Sequence, residues 1–313
     1  MLTHHRFTAA VGATRRWVLA IGNFDGVHRG HQALLSQAVA TATGLAAGSA
    51  ILTFSPHPRR VLNPALEPQV LTTTEEKLRL VAEHGLDGAF VCAFNRAVAG
   101  MPADLFVEQV LVHGLGVVHV IVGEDYRFGA RRMGDVECLR RMGAAHGFGV
   151  TTVAPVRDED GKVISSSRVR AALSDGQVTA ATQLLGRPWD IAGHGVPLHG
   201  ILSIPLGDYQ RPGDGVYSVR IAEACGDAMD WEIAPESSAW ISSSTGDEQL
   251  HVALPTTLSK PTAFRIRFLD RLSKDAPAGL MAHSPMEAAS SWRTVPHGLI
   301  HRISSPPRSM AGL

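Results

Sequence analysis

Two histidines three residues apart, His28 and His31, are the side chains whose type and spacing first suggest chemistry in this sequence. Residues at this spacing share one face of a helix, so both imidazole rings could donate hydrogen bonds to the same phosphate oxygens. Glycines surround the pair, and because they lack a Cβ the backbone can approach a ligand closely. The pattern predicts a cradle for a nucleotide triphosphate. The neighbouring candidates for nucleotide binding are Gly22, Asn23, Phe24, Asp25, Gly26 and Gly30.

A strand and a helix must position these histidines. A short apolar run at residues 18–21 precedes the glycines, and an apolar segment typical of a helix follows His31. A strand, a tight turn and a helix in this order bring unpaired backbone N–H groups and the positive end of the helix dipole to the turn. Phosphate groups bind well at such a helix N-terminus.

A second polar group follows the apolar run at residues 50–54. The prolines of Ser55-Pro56-His57-Pro58-Arg59 make the chain leave this predicted strand in an extended conformation. In open α/β sheets, ligands gather outside the carboxyl ends of the strands. We therefore expect Phe54, His57 and Pro58 to contact a substrate.

A third group follows the β-branched run at residues 117–122. Asp125 could accept hydrogen bonds from ribose hydroxyls, and Arg131 could hold a phosphate with two parallel hydrogen bonds. Phe128 and Gly129 lie between them. This segment is typical of a surface that binds a nucleotide or a flavin.

A fourth group is the sequence ISSSRVR at residues 164–170. Its serines, Ser165, Ser166 and Ser167, supply an N-cap and hydroxyl donors for a following helix. Arg168 adds a cation to that helix N-terminus, which already favours an anion.

The four groups resemble, in order, the motifs of the bacterial bifunctional riboflavin kinase/FAD synthetase family. GNFDGVHRGHQ is similar to the family's G-x-F-D-G-x-H-x-G-H, which contains the H-x-G-H signature of nucleotidyltransferases. FSPHP resembles F-x-P-H-P, and residues 123–135 resemble G-x-D-F-x-F-G…G-D with Glu124 and Tyr126 as variations. ISSSRVR and the later LGRPW resemble I-S-S-T-x-I-R…L-G-R-P-Y, with Ser167 where a threonine is usual. The resemblance covers about residues 18 to 189.

This resemblance implies an FMN adenylyltransferase, which transfers AMP from Mg²⁺-bound ATP to FMN and releases pyrophosphate and FAD. His28, His31 and Arg168 would be the catalytic residues that stabilise charge on the phosphates. Asn23 and His57 would line the reacting region, and Asp125 would face the nucleotide. No metal site built by the protein itself is expected.

The order of elements predicts an α/β fold followed by a β domain. Five or six apolar strands alternate with helices up to residue 189, as in a Rossmann-like nucleotidyltransferase domain with a parallel sheet. The helix that begins near Thr72 is interpreted as structural. Short β segments at residues 190–279 predict a small antiparallel barrel-like domain, and residues 280–313 a loosely ordered tail. Glycines at 193, 195 and 200 are interpreted as the boundary between the domains.

The second domain resembles the riboflavin kinase barrel of the family without its catalytic elements. Its G-x-P-T-A-N element, whose Thr and Asn serve Mg²⁺ and ATP, is replaced by residues 204–209, and residues 254–258 stand where an acidic element is expected. Because phosphoryl transfer depends on positioned metal and charge, we expect this domain to be degenerate and inactive as a kinase.

Composition restricts the partners. The 313 residues carry 29 basic and 29 acidic side chains, so no nucleic-acid or membrane partner is indicated. No apolar run approaches the roughly 20 residues that cross a bilayer, and no signal peptide is predicted. Three widely spaced cysteines favour the reducing cytoplasm. The oligomeric state stays open.

Two alternatives stay open beside this interpretation. One is a related nucleotidyltransferase that accepts another phosphorylated substrate, which the altered C-terminal half allows. The other is a catalytically silent flavin- or nucleotide-binding regulator. The two intact histidines argue against the silent protein, because such a site has no need of both imidazoles beside a phosphate.

Overall fold

The computed structural model describes residues 1–4, 16–65, 69–198, 200–223, 234–241, 249–254 and 262–274. The predicted tail at residues 280–313 and most of the segment at 254–258 lie outside the described residues, and so does Cys225.

The first half of the chain forms a six-stranded parallel sheet, which confirms the predicted fold class. The order of its strands is β1-β4-β3-β2-β5-β6, so β2, with all five residues buried, lies near the centre. Strand β1 was not predicted, because it is only three residues long. The strands are β1 Leu2–His4, β2 Trp17–Ile21, β3 Gly48–Ser55, β4 Gly88–Ala93, β5 Val117–Gly123 and β6 Gly149–Val153.

Helices cover both faces of this sheet. Alternate residues of β2 point to opposite faces, so Leu19 packs in one core with Leu111 and Leu139, whereas Val18 packs in another with Leu35. The helices are α1 Arg29–Gly44, α2 Pro58–Leu62, α3 Thr74–Glu83, α4 Arg96–Ala99, α5 Ala103–Leu105, α6 Val136–His146, α7 Ser166–Ser174 and α8 Val178–Leu185. A wider π-helical segment, Phe106–Gly114, continues α5, and a 3-10 turn spans Ala130–Arg132.

The second half closes into an antiparallel barrel with the order β10-β11-β8-β7-β12-β9. Large apolar side chains fill it, among them Tyr217, Phe264 and Phe268. The strands are β7 Asp190–Leu198, β8 Ile201–Pro205, β9 Gly215–Glu223, β10 Glu236–Ile241, β11 Gln249–Ala253 and β12 Thr262–Ser273.

Two of the glycines that were interpreted as a boundary, Gly193 and Gly195, lie inside strand β7, and Gly200 follows it in a turn. A Cβ on Gly193 would meet the side chain of Ile204 at 2.5 Å, and one on Gly195 would meet Leu202 at 2.5 Å. Glycine is therefore needed here for close packing within the barrel, and these residues are strand rather than linker.

The two halves share one apolar core. Leu173 of α7 and Leu185 of α8 belong to the same buried cluster as Trp189, Tyr217 and Phe268. Trp189 packs on Phe268 with ring centroids 5.0 Å apart. In the part of the chain that the structure describes, no helix has both the length and the apolar character that a membrane span requires.

Candidate active site

A tight turn after β2 brings His28 to the start of α1. Phe24 and Val27 have positive φ angles of 49° and 44° in this turn, and Gly26 has 82°. A Cβ on Gly26 would meet Leu71 Cδ1 at 2.8 Å. Both this close contact and the positive φ angle disfavour a side chain at this position. His28 is the N-cap of α1, and its Nδ1 accepts a hydrogen bond from the His31 backbone N–H at 3.3 Å.

The rings of His28 and His31 stack on each other, with centroids 3.6 Å apart and planes at 18°. Burial lowers the pKa of His28 to about 4. Burial also lowers the pKa of His31 well below its usual range, and His28, Lys77 and Arg170 add to this effect. Both rings are therefore neutral at pH 7. Because Nδ1 of His28 is an acceptor, the proton of the neutral ring is assigned to Nε2.

Asp25 is buried in the same turn and orients an arginine. Its Oδ1 accepts hydrogen bonds from the backbone N–H groups of Leu71 at 2.9 Å and Thr72 at 3.2 Å. Its Oδ2 pairs with Arg170, whose Nε also donates to the Gln69 carbonyl at 2.7 Å. Arg170 is thus held at two points with its guanidinium at the wall of the site.

Arg168, the cation that the sequence suggested, is engaged elsewhere. Its guanidinium pairs with Asp158 and donates to the carbonyls of Lys162 at 3.1 Å and Val163 at 2.9 Å. Arg170 lies on the other side of α7, one turn after Ser166, whose hydroxyl donates to the Asp25 carbonyl at 2.9 Å. Helical spacing could have found it, because residues 166 and 170 share a face and residue 168 does not.

A buried lysine also faces the site from α3, the helix that was interpreted as structural. Lys77 is only 5% exposed, and its Nζ lies 3.5 Å from Thr53 Oγ1. Thr53 in turn donates to the Asn23 carbonyl at 3.1 Å. Burial lowers the pKa of Lys77, and the charge of Asp25 opposes that shift. Nothing in the sequence distinguished this lysine from a surface lysine.

Two adjoining cavities open above these residues. The large cavity has a volume of about 810 Å³ and the second cavity about 520 Å³. They share five wall residues: Asp25, Phe54, His57, Arg59 and Arg170. Thirteen of the residues that the sequence predicted line the large cavity. These are Gly22, Asn23, Asp25, His31, Phe54, His57, Pro58, Asp125, Phe128, Gly129, Arg131, Ser166 and Ser167.

Aromatic rings form one wall of the large cavity. Phe54 meets Phe94 edge to face at 5.7 Å, and Tyr126 stacks on Phe128 at 5.6 Å. Phe106 from the π-helical segment lies 5.8 Å from Phe128. Flat apolar walls of this kind suit a planar ring system, whereas the histidines and arginines suit phosphate.

The other predicted residues, His28 among them, line neither of these two cavities. Gly30 packs on His28, because a Cβ there would meet the His28 ring at 3.1 Å. Ser165 caps α7 by accepting from the Arg168 N–H at 3.4 Å. Phe24 and Gly26 shape the turn below the two histidines.

His57 has a neutral ring at the wall between the two cavities. Its Nδ1 accepts from the Arg59 N–H at 3.2 Å, and burial lowers its pKa to about 4.

Comparisons with known proteins match most of this chain. The family model described as FAD synthetase matches residues 11–168. A bifunctional riboflavin kinase/FMN adenylyltransferase from Pseudomonas fluorescens is 39% identical over 66% of this chain and 68% of its own length. The protein of that name from Escherichia coli strain K12 is 38% identical over 65% and 67%. The Listeria monocytogenes protein is 34% identical over 69% and 71%.

A solved structure covers both domains. The crystal structure of a protein called macrolide-efflux protein from Streptococcus pneumoniae superposes with a TM-score of 0.78. It covers 97% of this chain and 100% of its own, at 24% sequence identity. At this identity the likeness shows the fold alone.

Proposed function

The chain belongs to the FAD synthetase family, and from that membership we propose how its N-terminal domain works as an FMN adenylyltransferase. An oxygen of the FMN phosphate attacks the α-phosphorus of ATP, and the bond from that phosphorus to the bridging oxygen breaks. Pyrophosphate leaves with the electron pair, and FAD is the product. The observation that supports this proposal best is the stacked pair of neutral histidines beneath a cavity that holds Arg170.

The histidines act by hydrogen bonding rather than by charge. His31 lines the large cavity, and the neutral ring of His28 stacks on it. As negative charge shifts toward the leaving pyrophosphate, fixed donors in a buried site stabilise it without reorganising. No covalent intermediate is needed, so the rate depends on positioning and on electrostatics.

Positive charge comes from Arg170 and Lys77. The guanidinium of Arg170, held by Asp25 and Gln69, can bind two phosphate oxygens at once. Lys77 adds a buried ammonium at the second cavity. We assign to Arg170 the role that the sequence suggested for Arg168.

Mg²⁺ enters as part of the substrate, bound to the triphosphate whose charge it neutralises. Among the described residues no group of three or more His, Cys, Asp and Glu side chains could hold a metal ion alone. The use of ATP also supports the cytoplasmic location that the cysteines indicated.

The barrel does not phosphorylate riboflavin in this proposal. Residues 204–209 replace the kinase element. Of these, Ile204 and Leu206 are buried in the apolar core. Tyr209 donates its hydroxyl hydrogen to Glu76 of the N-terminal domain. A Thr and an Asn that could serve Mg²⁺ and ATP are missing there.

Product analysis tests both parts. Purified protein is incubated with Mg²⁺-ATP and either FMN or riboflavin, and the flavins are separated by chromatography. We expect FAD from FMN and no FMN from riboflavin. FMN formed from riboflavin would overturn the loss of kinase activity. ATP binding without FAD formation would contradict the transferase assignment and redirect the search to other phosphorylated acceptors.

A further inference from the structure

One short segment of the N-terminal domain, residues 69–73, contacts both the site and the barrel. On the site side, the N–H groups of Leu71 and Thr72 bind Asp25, and the Gln69 carbonyl accepts from Arg170. Thr72 Oγ1 also accepts from the Gly26 N–H at 3.0 Å. The carboxylate that orients Arg170 is thus held by the backbone of this segment.

On its other side the segment pairs with the connection between β8 and β9. The Val70 N–H donates to the Asp208 carbonyl at 2.9 Å, and the Gln210 N–H donates to the Val70 carbonyl at 2.8 Å. These two bonds form a parallel bridge between Val70 and Tyr209. Trp189 Nε1 donates to the Leu71 carbonyl at 2.9 Å. The backbone that holds Asp25 is therefore held by the barrel.

The side chain of Tyr209 makes a second link, to helix α3. Its hydroxyl donates to Glu76 Oε2 at 2.7 Å and accepts from the Ala192 N–H at 3.0 Å. Glu76 Oε2 also accepts from the Thr73 N–H at 3.0 Å, which closes the capping box of α3. Lys77 follows directly after Glu76, so the first turn that places this ammonium is bound to the barrel through one buried hydroxyl.

Charge on the barrel stabilises the same turn. Burial raises the pKa of Glu76, while the hydrogen bonds from Tyr209 and Thr73 oppose this shift and favour the carboxylate. Arg265 of β12 lies 3.8 Å from Glu76 and 3.0 Å from Asp190. Arg265 also opposes the effect of burial, whereas the charge of Asp190 adds to it.

We propose that Tyr209 is a positioning residue for AMP transfer, acting through Glu76 on α3 and through the segment 69–73 on Asp25 and Arg170. This inference rests on the proposed adenylyltransferase activity. It gives the barrel a task in the reaction of the other domain that requires no kinase chemistry. A displacement of about 1 Å in groups that contact the reacting phosphates is enough to slow a reaction about a hundredfold.

The test is Tyr209→Phe, which removes only the hydroxyl. We expect kcat for FAD formation to fall about tenfold, with KM for ATP and FMN within about twofold, because Tyr209 lines neither cavity and the aromatic wall of the large cavity lies elsewhere. Thr179→Val is the matched control. It removes a hydrogen bond of 3.2 Å to Asp270, also between the domains, that reaches neither residues 69–73 nor α3. We expect this control to keep the wild-type kcat.

A double-variant cycle tests whether Tyr209 acts through Glu76. If Tyr209 acts through Glu76, the loss in kcat for Tyr209→Phe combined with Glu76→Gln is smaller than the product of the two single losses. Assays are run well below the melting temperature of each variant. A wild-type kcat in Tyr209→Phe with only a lower melting temperature would overturn the proposal, as would independent losses in the double variant.

Two further outcomes are distinguishable. If Tyr209→Phe does not fold, Glu76→Gln alone decides, and a wild-type kcat in that variant overturns the proposal. If the wild-type protein itself makes no FAD from FMN, the proposed function fails, and the role of Tyr209 in AMP transfer fails with it.

Discussion

The two domains of this protein bury polar groups in different places. In the N-terminal domain Asp25, His28 and Lys77 are buried around cavities beyond the carboxyl ends of parallel strands. In the barrel the buried Asp190 and Arg265 lie at the junction with the other domain. An open parallel sheet has an edge where loops converge, whereas a closed barrel of six strands fills its interior with side chains. The candidate site thus lies in the first domain. The barrel contacts this domain through the surface at their junction.

The largest expected effect that tests this contrast is the removal of one imidazole. His31→Ala should lower kcat for FAD formation by about 100- to 1,000-fold, the usual cost of losing a donor to developing charge. His113→Ala is the control, because His113 is an exposed histidine at the end of the π-helical segment. Rates are measured by separating FAD from FMN at saturating ATP. Equal losses in both variants would break the assignment of the site.

Two arginines on one helix give the next test. Arg170→Ala should lower kcat/KM by about 100-fold, since it removes a charge-assisted contact to phosphate and leaves Asp25 buried without its cation. Arg168→Ala removes a partly exposed pair with Asp158 and should change kcat/KM by less than about threefold. Steady-state kinetics of both variants decide. The reverse order of losses would restore Arg168 as the catalytic cation.

These arginines show what the sequence could and could not predict. The strand, turn and helix around His28 could be predicted because an apolar run, glycines and a helix start follow each other within a few residues. The choice between residues 168 and 170 depended on which face of α7 meets the turn at Asp25, a contact over 145 residues of chain. Lys77 was missed for the same reason. Its burial results from the packing of α3, and no local pattern marks it.

In the barrel, too, the features that depend on contacts between distant residues could not be predicted from the sequence. Its antiparallel class was predicted from short β segments with turn residues between them. Strand β7 was missed because its glycines have the composition of a linker, and only the side chains of Ile204 and Leu202 explain them. The bridge between Val70 and Tyr209 has no signature in sequence, because two backbone hydrogen bonds carry it.

A change inside the barrel, away from the junction, should affect stability alone. Val252 of β11 is fully buried and opposes Leu202 and Ala239 in the register of the barrel. Val252→Ala should lower the free energy of unfolding by about 2.5 kcal/mol through lost burial and a cavity. Denaturant unfolding measures this, and kcat for FAD formation should stay at the wild-type value. A large loss of kcat would show that the barrel interior itself affects the reaction.

The smallest expected effect comes from pH, and it concerns the buried histidines of the N-terminal domain. His28 has a pKa of about 4 when folded and an ordinary value near 6.5 when unfolded. Above pH 6.5 the ring is neutral in both states and its contribution to stability is complete. Between pH 6.5 and 4 the unfolded chain binds a proton that the folded site does not. The free energy of unfolding therefore decreases as the pH is lowered through this range.

His28→Asn isolates this contribution, because asparagine is also a good N-cap and does not titrate. The difference in unfolding free energy between wild type and variant should be less favourable to the wild type at pH 5 than at pH 7, by about 2 kcal/mol. Denaturant titrations at the two pH values measure it. A difference that does not depend on pH would mean that His28 has the same pKa in the folded and the unfolded state. A difference that favours the wild type more at pH 5 than at pH 7 would mean that the folded site raises this pKa, and the histidines would then act on phosphate as cations rather than as neutral donors.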